Sequence, residues 1–119
     1  MKKNILYLLI LPLLLMLSAC SKVSDEDLRA AHTAYEKGAI IIDVRTREEY
    51  REKHINKSVN IPLHLLEKYL EHLPLDKEFI TYCRTGNRSK MAAEFLREKG
   101  FTVYDVATQE EWERKLPQK

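Results

Sequence analysis

One stretch, Tyr82-Cys83-Arg84-Thr85-Gly86-Asn87-Arg88-Ser89, constrains the fold more than any other. A β-branched and aromatic run from Glu78 to Tyr82 leads into it, and residues with helical periodicity from Ser89 to Lys99 follow it. Strand, tight loop and helix start therefore meet at one point. The first four amides of a helix have no intrahelical partner, and the helix dipole adds roughly half a positive charge there, so the junction is an anion site. Cys83 stands at its rim, with Arg84 and Arg88 adding positive charges after it, surroundings that favour a thiolate over a thiol. Cys83 is the candidate nucleophile, and Arg84, Thr85, Gly86, Asn87, Arg88 and Ser89 are the candidate substrate-binding residues. The competing reading is an inert, buried, small apolar cysteine, or a structural Arg88 that ties the loop to a carboxylate.

The rest of the chain supplies what such a junction needs. Ser24 and Asp27 resemble a capping box at the start of a helix over 25–37, with Leu28, Ala31 and Tyr35 on one face and Gly38 as its left-handed stop. Ala39 to Val44 is apolar but for Asp43, as suits a strand buried on both faces of a parallel sheet. Thr46 can cap a short helix through Lys53, and Arg45 and Glu49 stand at the spacing of a local ion pair. A short strand over 59–61 ends at Pro62, and Leu65, Leu66, Tyr69, Leu70 and Leu73 form a helical stripe that Pro74 terminates. Met91, Ala92, Phe95 and Leu96 give the helix behind the loop its apolar face. A strand over 101–106 and a closing helix over 109–116, which holds Trp112, complete the pattern. Alternating strands and helices predict a single α/β domain: a mostly parallel sheet flanked by helices on both faces, with ligands at the carboxyl ends of the strands. Asp43 and Cys83 both lie at such ends.

The N-terminus reads differently. Lys2 and Lys3 precede an apolar run from Ile5 to Leu17, too short for a comfortable membrane span, and Leu17-Ser18-Ala19-Cys20 follows. This is the pattern of a secretory signal over 1–19, and its ending resembles the lipobox of bacterial lipoproteins. That resemblance implies lipidation at Cys20, a lipid-anchored linker over 20–23 and a folded domain over 24–119. The expected location is the cell envelope, facing away from the cytoplasm, on the periplasmic side if the cell has an outer membrane. An uncleaved N-terminal anchor is the alternative. Removing the signal takes two lysines and no acid, which leaves 18 basic against 18 acidic side chains. No basic excess then points to nucleic acid. With Cys20 given to lipid, Cys83 has no disulfide partner. His32, His54, His64 and His72 lack metal-ligand spacing and there is no CxxC, so neither a metal nor a cofactor is expected.

Cys-Arg-Thr-Gly-Asn-Arg-Ser resembles the active-site loop of the rhodanese-like sulfurtransferases, whose pattern is C-x4-R followed by Ser. Ile41-Ile42-Asp43-Val44-Arg45, Glu49-Tyr50, His54-Ile55 and Asn60-Ile61-Pro62 are similar to other landmarks of that family, in the same order. The resemblance spans roughly Val23 to Trp112. It implies sulfur transfer through a Cys83 persulfide, from a small anionic donor such as thiosulfate to cyanide or to a thiol, which could belong to a protein. It also gives Asp43 and Arg45 a supporting role and His54 a structural one. Four positions depart from the pattern: Lys53 and Lys57 replace glycines around His54-Ile55, and Ala107-Thr108 replaces a Gly-Gly pair ahead of Trp112. The last change brings side chains, with Glu110 and Glu111, to the substrate mouth. A non-catalytic module that holds an anion or a partner's persulfide is the alternative from another class. A cysteine phosphatase or arsenate reductase is a third reading. Against the phosphatase, relatives with a similar cradle use C-x5-R and commonly a His where Tyr82 stands, and the shorter loop suits one sulfur better than three phosphoryl oxygens.

Overall fold

A computed structural model describes residues 23–119. The expected signal, Cys20 and the linker through Lys22 lie outside the described residues. Four strands, β1 (Ile40–Asp43), β2 (Val59–Asn60), β3 (Phe79–Cys83) and β4 (Val103–Thr108), form one sheet in the order β2-β1-β3-β4. Every neighbouring pair is parallel, so each connection must cross from one end of the sheet to the other. The α-helices among the described residues are α1 (Asp25–Glu36), α2 (Arg47–Glu52), α3 (Leu66–Tyr69), α4 (Asn87–Glu98) and α5 (Gln109–Glu113). The single α/β domain with helices on both faces is therefore as expected.

Alternation along the strands divides the core. Ile41, Ile80, Tyr82 and Val106 face α1 and α5 and pack with Leu28, Ala31, Ala34 and Trp112. Ile42, Phe79, Cys83 and Val103 face the other way, onto Leu66 of α3 and Ala92, Ala93 and Leu96 of α4. Because both faces are covered, β1 and β3 read as nearly continuous apolar runs. Each fully buried Leu, Ile or Phe contributes about 1.5–3 kcal/mol. The caps fall where the side chains permit: Ser24 Oγ accepts from the Asp27 amide at 3.1 Å, and Thr46 and Glu49 form a reciprocal capping box.

Three elements differ from expectation. The 65–73 stripe is not one α-helix: 3₁₀ turns at Leu63–Leu65 and Leu70–His72 bracket a single α-turn between Pro62 and Pro74. β4 covers Val103–Thr108 where 101–106 was expected, and it carries a bulge: Thr81 pairs with Asp105 but Cys83 with Thr108, one extra residue on the β4 side. The closing helix stops at Glu113, not Leu116. Arg114 turns extended there, and its guanidinium reaches back to the Val23 carbonyl at 2.7 Å and to Asp25 at 2.5 Å.

Candidate active site

β3 brings Cys83 to the carboxyl end of the sheet, beside Asp43 at the end of β1, which is in register with Tyr82. The chain then turns through Gly86 into α4. Gly86 has φ +99°, a region that L-residues rarely adopt, and a Cβ built there would lie 3.2 Å from the Ala107 Cβ. Gly86 is the N-cap of α4 and offers no capping side chain. The cysteine supplies one instead: Cys83 Sγ accepts from the Gly86 amide at 3.0 Å and the Ser89 amide at 3.3 Å. A sulfur atom thus occupies the anion position at the head of the helix. Ser89 Oγ donates to the carbonyls of Gly86 and Ala107 at 3.1 and 3.4 Å, locking loop to bulge.

Ala107 is the other side of that lock. It has φ +63°, and its amide is held by Asp105 Oδ1 at 2.9 Å. A positive φ costs an L-residue roughly 1–2 kcal/mol, which explains physically why a glycine suits this position. Thr108 follows as the N-cap of α5, accepting from the Glu111 amide at 3.1 Å.

Both loop arginines converge on Glu49. Arg88 holds it with two bonds, at 2.7 and 3.0 Å, and Arg84 Nε adds a third at 3.0 Å. The expected Arg45–Glu49 pair does not form. The capping box turns Glu49 toward the reactive loop, while Arg45 folds back on Asp43 through Nε at 3.0 and 3.1 Å and Nη2 at 2.7 Å. Arg88, then Arg84, hold the Glu49 carboxyl well below the usual carboxylate range. Glu49, and to a lesser degree Cys83, hold Arg88 protonated.

Asp43 is fully buried and takes no loop amide. It accepts from the Arg45 amide at 2.9 Å and from the Tyr82 hydroxyl at 2.5 Å, besides the Arg45 guanidinium. Burial, reinforced by the Asp43 carboxylate, pushes the Tyr82 phenol up to about 12. The hydrogen bonds that the Arg45 guanidinium donates to Asp43 raise Arg45 above its already high value. This network forms a floor beneath the loop.

Above Cys83 opens a pocket of ≈ 240 Å³, walled by Arg84, Glu49 and Lys53 on one side and Thr108 and Glu110 on the other. Of the six expected substrate-binding residues only Arg84 lines this space, while Gly86 and Ser89 act through their amides. Thr85, Gly86 and Asn87 border a separate hollow behind the loop, and Asn87 is the first residue of α4. Arg88 heads a third groove, with Val44 and Pro62. Glu111 is drawn away by Arg114 at 3.0 Å, so of these two acids Glu110 lines the mouth. The sequence reading missed Glu49 as the loop's anchor, although its place three residues after Thr46 fixes its direction. It also missed Glu52 and Gln109, which line the mouth. Among the described residues no three His, Cys, Asp or Glu side chains group as a metal would need.

The model of the rhodanese-like domain family matches residues 26–114, and the chain belongs to that family. Among its relatives, a thiosulfate sulfurtransferase of Pseudomonas savastanoi is 35% identical over 77 residues, covering 64% of this chain and 73% of that one. A Porphyra purpurea protein named probable molybdopterin-synthase adenylyltransferase is 45% identical over 69 residues, 56% of this chain, but the chain spans only 18% of that protein. Among solved structures, a human single-domain sulfurtransferase superposes with a TM-score of 0.64 at 27% identity, covering 79% of this chain and 97% of that one.

Proposed function

We propose that this domain is a sulfurtransferase that carries sulfane sulfur on Cys83. The observation that carries the reading is the sulfur at the head of α4, held by two amides and open to the pocket. In the first step the Cys83 thiolate attacks the outer sulfur of thiosulfate; the new S–S bond forms as the S–SO₃ bond breaks, and sulfite leaves with the electron pair. In the second, cyanide or a thiolate attacks the outer persulfide sulfur, and Cys83 leaves as thiolate. No redox partner is consumed. The preorganised amides stabilise the anionic sulfur before and after transfer. Glu49 neutralises part of the charge of the two arginines, so Arg84, whose side chain is 61% exposed, is the loop cation offered to the donor. Thiosulfate:cyanide turnover tests the reading: Cys83→Ser should abolish it, and undiminished turnover would overturn it.

The same cradle serves a non-catalytic persulfide-binding module, favoured by the burial of Cys83, which is only 2% exposed. Sulfur capture without turnover would select that reading. Glu110 on the pocket wall is the observation that favours a phosphatase, because it gives a leaving oxygen an acid. A larger kcat/KM for an aryl phosphate than for thiosulfate would select it.

The Cys20 pattern supports a second part of the proposal, that the domain is a lipoprotein of the cell envelope. Stable anchoring needs more than one acyl chain, as lipoproteins carry. Cys20→Ala should release the chain from the membrane fraction, and unchanged processing and fractionation would contradict the assignment.

A further inference from the structure

We infer that the reactive loop faces the membrane that anchors the chain. This rests on the reading that Cys20 carries lipid; the orientation comes from the fold. Val23, where the described domain begins, borders the same hollow as Thr85, Gly86 and Asn87 of the loop. It is fixed there, because Arg114 binds its carbonyl at 2.7 Å and Asp25 at 2.5 Å. Only three residue steps separate Cys20 from Val23. Even fully extended they span about 11 Å. The lipid attachment point therefore cannot leave the loop's end of the domain.

The opposite end lies far away. α1 starts beside the loop and runs twelve residues, about 18 Å. Beyond it Gly38 meets Lys77, whose Nζ would be 3.3 Å from a Cβ at that glycine. Leu75, which is 89% exposed, belongs to that distal turn. A short tether on a clamped start sets the domain loop-down.

The test uses the full lipidated chain, reconstituted in phosphatidylcholine vesicles with a spin-labelled headgroup lipid as quencher. On a Cys83→Ser background, Thr85→Cys and Leu75→Cys each receive one fluorophore. The inference expects at least twofold stronger quenching at position 85 than at position 75. It also expects a twelve-residue Gly/Ser insertion between Lys22 and Val23 to erase the difference. Equal or stronger quenching at position 75 would overturn it, and so would a contrast that survives the insertion. A chain that fails to float with the vesicles removes the lipid premise and overturns the inference at that earlier step. Sulfur capture by Cys83, measured on the lipidated parent chain that keeps Cys83, reports separately on the transfer reading.

Discussion

Two carboxylates grip arginines within the same site, and they do different work because water reaches only one of them. Asp43 is fully buried; its oxygens are shared among the Arg45 amide, the Arg45 guanidinium and the Tyr82 hydroxyl. Glu49 has a side chain 16% exposed and grips Arg84 and Arg88, which are 61% and 34% exposed. A buried pair costs much to break because the surviving charge is stranded. An exposed pair is screened and contributes little to stability. The floor therefore sets the fold, and the rim sets the position and charge of the reactive loop.

Asp43→Asn should break the floor and give the largest effect. It leaves Arg45 without its charged partner, and removing one member of a buried pair costs about 3–5 kcal/mol. A thermal melt should fall by more than about 10 °C; a melt within a few degrees of the parent would show that floor and rim do not differ as argued. Glu49→Gln separates them from the other side. With the clamp released, turnover should fall roughly ten- to hundredfold, as small misplacements of a catalytic loop do, while the melting temperature at neutral pH moves far less.

The pH dependence sharpens the same contrast. Glu49 is held below its ordinary value, 4.5, so its stabilisation is present above that value and lost as pH falls further. Glu49→Gln should flatten that acid limb. Tyr82 is raised from 10.0 to about 12, so its neutral phenol stabilises the fold below pH 10, and this is lost as pH rises toward about 12. Denaturant titrations of Tyr82→Phe should show a shallower alkaline limb; an unchanged limb would remove Tyr82 from the floor.

The smallest effects belong to the mouth. Ala107→Gly relieves the positive φ and should stabilise by up to about 1 kcal/mol, the left-handed cost less the entropy of glycine. Glu110→Gln removes an acid from the pocket wall, and kcat/KM for thiosulfate should rise a few-fold, an effect that shrinks with added salt. Indifference to both the substitution and salt would place Glu110 outside the donor's path.

The strands and the loop were legible because their signals are local: β-branched runs, a glycine needing φ > 0, and a cysteine at a helix start. The partners of the charges were not. Arg45 has carboxylates at two and four residues' distance, and only the burial of β1 decides that it takes Asp43. Glu49 meets Arg84 and Arg88 across 35 and 39 residues, a separation no spacing rule covers. The β4 bulge was hidden for a related reason, since an extra residue shows only against the register of β3.

The central claim is that Cys83 stores sulfur in a cradle of amides, and an intact mass taken after exposure to thiosulfate tests it most directly. The account predicts one added sulfur atom, removed by cyanide and absent from Cys83→Ser. A parent chain that gains no mass, or a Cys83→Ser chain that gains the same sulfur, would contradict it.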